Sequence, residues 1–128
     1  MSKWVLDASA LLALLNNEPG AEQVMAALLE GAVISAVNLS EVTAKLADVG
    51  MPEAEIRQVL GPLPMDVVPF DAESAYQTGL LRVHTREAGL SLGDRACLAL
   101  AKQLGRPALT AERAWGQLKS DVEVRLIR

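Results

Sequence analysis

The stretch "KWVLDASALLALL", residues 3–15, decides how the chain is read. Residues 3–6 spell a short strand. Residues 8–16 carry leucines at 11, 12, 14 and 15, the crowded apolar surface of a buried helix. Between the two stands a single carboxylate, Asp7. A strand that runs straight into a helix opens a βα unit, and the same order recurs downstream. Residues 21–30 read as a helix stopped by Gly31, and residues 32–35 as a second strand. "NLSE", residues 38–41, has capping-box spacing, so a helix is expected over 38–49 with Asn38 as its cap and Glu41 in its first turn. Pro52 suits the first position of a helix over 52–60. Strands at 65–68, 108–110 and 123–127 alternate with helices over 72–86, capped by Asp71, over 94–104 and over 113–120. The charge-alternating 123–127 segment reads as a sheet edge. This order predicts a three-layer α/β/α sandwich around a small, mainly parallel sheet, in one domain spanning 1–128.

Composition narrows the function. With 128 residues, 51% of them hydrophobic, the chain is expected to fold around a real core. Only Trp4, Phe70, Tyr76 and Trp115 are aromatic, so that core is built from Leu, Val and Ala. No apolar run approaches the ~18 residues that span a bilayer. "MSKWVLD" goes directly into structure without the pattern of a secretory signal, and the lone Cys97 excludes an internal disulfide. A cytoplasmic protein with no membrane partner is expected. The net charge of −4 gives no general attraction for nucleic acid, so a polyanionic substrate would need a local basic patch or a bound metal.

Ligands of parallel sheets bind beyond the carboxyl ends of the strands. Asp7 and "TAE", residues 110–112, lie at such ends. Asp94 opens the most apolar helix, and Glu41 starts another. Each acid has an ordinary explanation, because first-turn carboxylates satisfy free N–H groups and the helix dipole for about 1 kcal/mol or less; Asp94 can box with Ser91, and Glu41 with Asn38. Asp7 is harder to dismiss, since Ser9 would cap more cheaply. Together the four point elsewhere. Two carboxylates about 4 Å apart repel by roughly 4 kcal/mol at an effective dielectric near 20, so three or four in one pocket call for a cation. Oxygen donors without His or Cys favour Mg²⁺ or Mn²⁺. Such an ion lowers the pKa of bound water and clamps a phosphate, the chemistry of phosphodiester hydrolysis.

The segments "VLDASALLALL", "NLSEV", "SLGDRACLALA" and "ALTAERAW" together resemble PIN-domain ribonucleases, specifically the VapC-like toxins of toxin–antitoxin pairs. Order, spacing and length carry the resemblance over essentially the whole chain. It implies a PIN-like sandwich and a metal-dependent endoribonuclease with Asp7, Glu41 and Asp94 as metal-binding, catalytic acids and Glu112 at the fourth acidic position. Ser9 and Thr110 match the small hydroxyl positions beside the acids. The family usually has Asp where this chain has Glu112, whose extra methylene pushes the carboxylate outward by about 1.5 Å. The resemblance further implies an RNA substrate, a homodimer, and a cognate antitoxin that blocks the acidic groove. Arg82, Arg86 and Arg95 are candidate contacts to RNA phosphates, against the simpler reading of solvated helix faces.

His84 reads as a surface residue, Cys97 as a buried small hydrophobe, and Trp115 as packing for the last helix. Two other functions are weighed. One is a catalytically weakened binding module on a nuclease scaffold, for which Glu112 is the only support. The other is an aspartyl-phosphate phosphatase or receiver-like domain. The phosphatase would want an Asp where Ser9 stands, and the receiver a phosphoacceptor after the third strand, where this chain reads "VVPFD".

Overall fold

The computed structural model describes residues 3–128. Met1 and Ser2, the start of the "MSKWVLD" opening, lie outside the described residues. Five strands are present among those described: β1 (Trp4–Leu6), β2 (Ala32–Ser35), β3 (Met65–Val68), β4 (Ala108–Thr110) and β5 (Val124–Leu126). Six α-helices accompany them: α1 (Ala8–Leu15), α2 (Ala21–Glu30), α3 (Ala36–Asp48), α4 (Glu53–Leu60), α5 (Ala72–Thr85) and α6 (Leu92–Leu104). All strand pairs are parallel, in the order β3-β2-β1-β4-β5. The mainly parallel sandwich expected from the sequence is therefore wholly parallel, with the charged β5 at an edge.

Strand periodicity divides the core between two faces. Val5, Val33 and Ala108 lie in register across β1, β2 and β4 and pack with Cys97, Leu98, Leu100 and Ala101 of α6. Their neighbours Leu6, Ala32 and Leu109 face the other way, against Ala10 and Ala13 of α1 and Val24, Ala27 and Leu28 of α2. Beside that cluster, Ile34 of β2 packs with Leu11 of α1, Val42 and Leu46 of α3, and Ile56 and Leu60 of α4. Trp115 is buried in the α6 cluster, as expected of a packing residue.

The strand order explains where a ligand site would form. The chain builds β1, β2 and β3 outward in one direction, then places β4 on the opposite side of β1. The order reverses at the β1/β4 boundary, and crevices open at such switch points beyond the strand ends. Asp7 follows β1, and Thr110 ends β4.

One helix start differs from expectation. α3 begins at Ala36, not Asn38, and Ser35 is its cap, its hydroxyl accepting from Val37 N at 3.2 Å. Asn38 therefore sits inside the first turn, buried, and Glu41 falls in the second turn, beyond reach of a capping box. Smaller shifts follow the same local chemistry. Pro52 precedes α4 as its cap residue. α5 ends at Thr85 and passes into a 3₁₀ turn, Arg86–Ala88. The segment expected as a helix over 113–120 is a 3₁₀ turn, Arg113–Gln117. α6 begins two residues early, at Leu92, because Ser91 and Asp94 close a reciprocal capping box.

Candidate acidic active site

Asp7 is only 4% exposed and caps α1. Its Oδ1 accepts from Ala10 N at 2.8 Å, and Ser9 Oγ donates to the same carboxylate at 2.8 Å. Thr110 Oγ1 donates to Oδ2 at 2.6 Å. Each hydroxyl has one proton, so each must accept elsewhere: Ser9 Oγ takes Ala111 N and Thr110 Oγ1 takes Glu112 N, both at 2.9 Å. The result is a carboxylate locked to the ends of both β1 and β4. Burial pushes its pKa up from 3.8 to about 6; the Thr110, Ala10 and Ser9 hydrogen bonds hold it down, and the charge of Glu112 adds a smaller upward push.

Glu41 projects from the second turn of α3. Asn38 Nδ2 donates to Glu41 Oε1 at 2.9 Å and to the Gly93 carbonyl at 3.0 Å, so one buried amide ties α3 to the first turn of α6. Gly93 has no side chain for a reason: a Cβ there would overlap the Glu41 carboxylate. Asp94, next in sequence, is half-buried, and its Oδ2 accepts from Ser91 N at 2.9 Å. Glu112 is exposed at the start of the 3₁₀ turn, and its carboxylate makes no hydrogen bond or ion pair among the described residues.

Asp7, Glu41, Asp94 and Glu112, together with Ser9, line one open cleft of about 310 Å³. The four acids singled out in the sequence thus share a single concavity at the switch point. Beneath it, burial pushes the Cys97 thiol well up, and the charges of Asp7, Asp94 and Glu41 push it further, the mark of three carboxylates gathered over one point of α6. The gathering is loose: among the described residues no three acidic, His or Cys side chains converge closely enough to enclose a metal ion. Mg²⁺ does not require a protein cage. It keeps several waters and takes one or two carboxylates plus substrate phosphates. An all-oxygen donor set in a cleft with room for several waters at about 30 Å³ each fits that mode.

The expected arginine patch lies elsewhere. Arg82 and Arg86 are exposed on α5 and the following 3₁₀ turn, and Arg95 is half-buried, its Nη1 donating to the Thr78 carbonyl at 3.1 Å as a brace between α6 and α5. None of the three lines the acidic cleft. Sequence reading missed Asn38 as a clamp, Gly93 as the space for Glu41, and Lys45, which lines the cleft from the next turn of α3. The Lys45 signal was available: it follows Glu41 by four residues on the same helix face.

A sequence model of the PIN domain matches residues 4–120. No protein of curated function matches the chain. Among solved structures, the DNA-bound VapBC of Salmonella typhimurium includes a chain that superposes with a TM-score of 0.78 at 19% identity, covering 100% of both chains. FitAcB from Neisseria gonorrhoeae gives 0.70 at 23% identity, covering 97% of each. The sarcin–ricin-loop-cleaving VapC toxin of Mycobacterium tuberculosis gives 0.74 at 16% identity, covering 94% of this chain and 99% of that one. At such identities the likeness carries the fold.

Proposed function

The chain belongs to the PIN-domain family, and from that premise we propose that it is a metal-dependent endoribonuclease acting as the toxin of a VapBC-type toxin–antitoxin pair. The observation that carries this reading is the sharing of one switch-point cleft by Asp7, Glu41, Asp94 and Glu112. Asp7, Glu41 and Asp94, with Glu112, would hold Mg²⁺ or Mn²⁺. When bound, the ion supplies an activated water and neutralises charge on a phosphodiester.

The chain's own residues do the positioning. Ser9 and Thr110 fix the Asp7 carboxylate and keep its lone pairs aimed by spending their protons on it. Asn38 fixes Glu41, and the Ser91 box fixes Asp94 at the first turn of its helix. Preorganised carboxylates need little rearrangement when substrate arrives. A cognate antitoxin, a homodimeric state and a cytoplasmic setting belong to the same reading. The likeness to chains from VapBC and FitAcB supports the partner.

The test is cleavage of an RNA pool by the purified chain. RNA should be cut in Mg²⁺ or Mn²⁺, not in excess EDTA, and Asp7→Asn should lose several kcal/mol of rate, roughly a hundredfold or more. Equal cutting by wild type in EDTA, or by the variant, rejects the reading. One competitor is a binding module on a nuclease scaffold, supported by Glu112 standing where the family usually has Asp. Calorimetry without a Mn²⁺ binding signal at mM concentrations would decide for it.

A further inference from the structure

We propose that Lys45 is the phosphate-binding residue of the cleft, its ammonium meeting a backbone phosphate of a single RNA strand laid across the four acids. The assignment rests on the nuclease reading. Lys45 is exposed on α3 and, among the described residues, is the only cation lining the cleft that holds Asp7, Glu41, Asp94 and Glu112.

Its freedom is unexpected. Glu41 precedes it by four residues, the order that pairs Glu with Lys along a helix. The same spacing on α4 does pair, with Arg57 Nε 2.9 Å from Glu53. Among the described residues Lys45 makes no ion pair within 4.0 Å. The Asn38 amide holds the Glu41 carboxylate against Gly93 instead, which leaves the ammonium without its natural helix partner. The arginines that might have met the substrate stand outside the cleft.

A strand entering here meets four carboxylates, and a bound dication offsets only part of their charge. A cation at the rim attracts the strand without quenching the acids. Lysine suits this place, because its compact charge on a flexible stem follows a phosphate without demanding a fixed fork geometry. Recognition through the phosphate carries no base preference, so the residue sets affinity and register rather than sequence.

The experiment compares Lys45, Lys45→Ala and Lys45→Arg, each in an Asp7→Asn background that blocks cutting. The probe is a fluorescent random-sequence pool of single-stranded oligoribonucleotides in Mg²⁺, titrated at several salt concentrations. Lys45→Ala should weaken binding about three- to tenfold, evenly across sequences, and flatten the log Kd against log salt slope by about 0.7, the value for one phosphate on a single strand. Lys45→Arg should restore the slope, and the melting temperature should stay constant because Lys45 is exposed. With Asp7 present, Lys45→Ala should raise KM by the same factor. An unchanged salt slope in Lys45→Ala overturns the assignment, and a wild type that still cuts RNA leaves the nuclease reading intact. A wild type that cuts no RNA in Mg²⁺ or Mn²⁺ overturns the nuclease reading and the Lys45 assignment with it.

Discussion

Thr110 Oγ1 lies 2.6 Å from Asp7 Oδ2, closing a hydrogen bond across 103 residues of sequence. It fastens the last residue of β4 to the residue that follows β1, at the point where the strand order reverses. Thr110 is fully buried, so its hydroxyl depends on this bond rather than on water, whereas Asp7 also faces the cleft. Thr110→Val keeps the shape and deletes the hydroxyl. Stability should fall by about 1–3 kcal/mol, and the Asp7 pKa should rise beyond about 6, because its largest downward influence is gone. Chemical denaturation and a carboxyl NMR titration read the two effects. Unchanged values in both would mean that the bond is only a contact.

Asp7 also makes the metal-free protein sensitive to pH. Its pKa is 3.8 in the ordinary state and about 6 in the fold. Between those values the folded chain keeps a proton that the unfolded chain has released, so stability falls as pH rises through the window. Ionising Asp7 in the fold costs up to about 3 kcal/mol. In EDTA, melting of the wild type should therefore show a component that weakens from about pH 4 to about pH 6, and Asp7→Asn should lack it. A divalent ion should oppose the trend, since it favours the ionised form. Identical pH profiles for wild type and Asp7→Asn would contradict the burial argument.

These relationships mark where sequence reading ends. Strands β2, β3 and β4 and helix α2 match their expected bounds, because Gly31, Pro64, Gly105 and Pro107 punctuate apolar runs that have only one sensible reading. The Ser91–Asp94 box was legible for the same reason: both partners lie within four residues. The start of α3 was not. Ser35 and Asn38 are both good caps by local pattern, but Ser35 takes the role, and Asn38 falls inside the first turn with its Nδ2 donating to the Gly93 carbonyl, 55 residues away. Local pattern cannot report a bond of that span. The acids were legible as a set because charge at a strand end or helix start stands out against apolar neighbours. Gly93 and Lys45 acquire meaning only when α3 and α6 meet.

Gly93 offers a clean separation of fold from site. The three atoms nearest to a Cβ at this position all belong to the far end of the Glu41 side chain, which can swing away. Alanine is also favoured over glycine in a helix by about 1 kcal/mol. Gly93→Ala should thus leave stability within about 1 kcal/mol of wild type. RNA cleavage should drop at least about tenfold, because Glu41 is displaced from Asn38 and from its place beside Asp94. Full cleavage by a stably folded Gly93→Ala protein would show that the position of Glu41 does not matter.

Glu112 tests the opposite sign of the Thr110 experiment. Its charge is the smallest of the influences on Asp7, and it pushes the pKa up. Glu112 is exposed and its carboxylate is unpaired among the described residues, so Glu112→Gln should change stability by no more than about 0.5 kcal/mol. The Asp7 titration should move slightly down, against the upward move expected for Thr110→Val. Opposite displacements from Thr110 at the end of β4 and Glu112 just beyond it would separate charge from hydrogen bonding at one carboxylate. If Glu112→Gln left the Asp7 titration in place, Glu112 would lie too far out to share an ion with Asp7, and its longer side chain would have removed the fourth acid from the site.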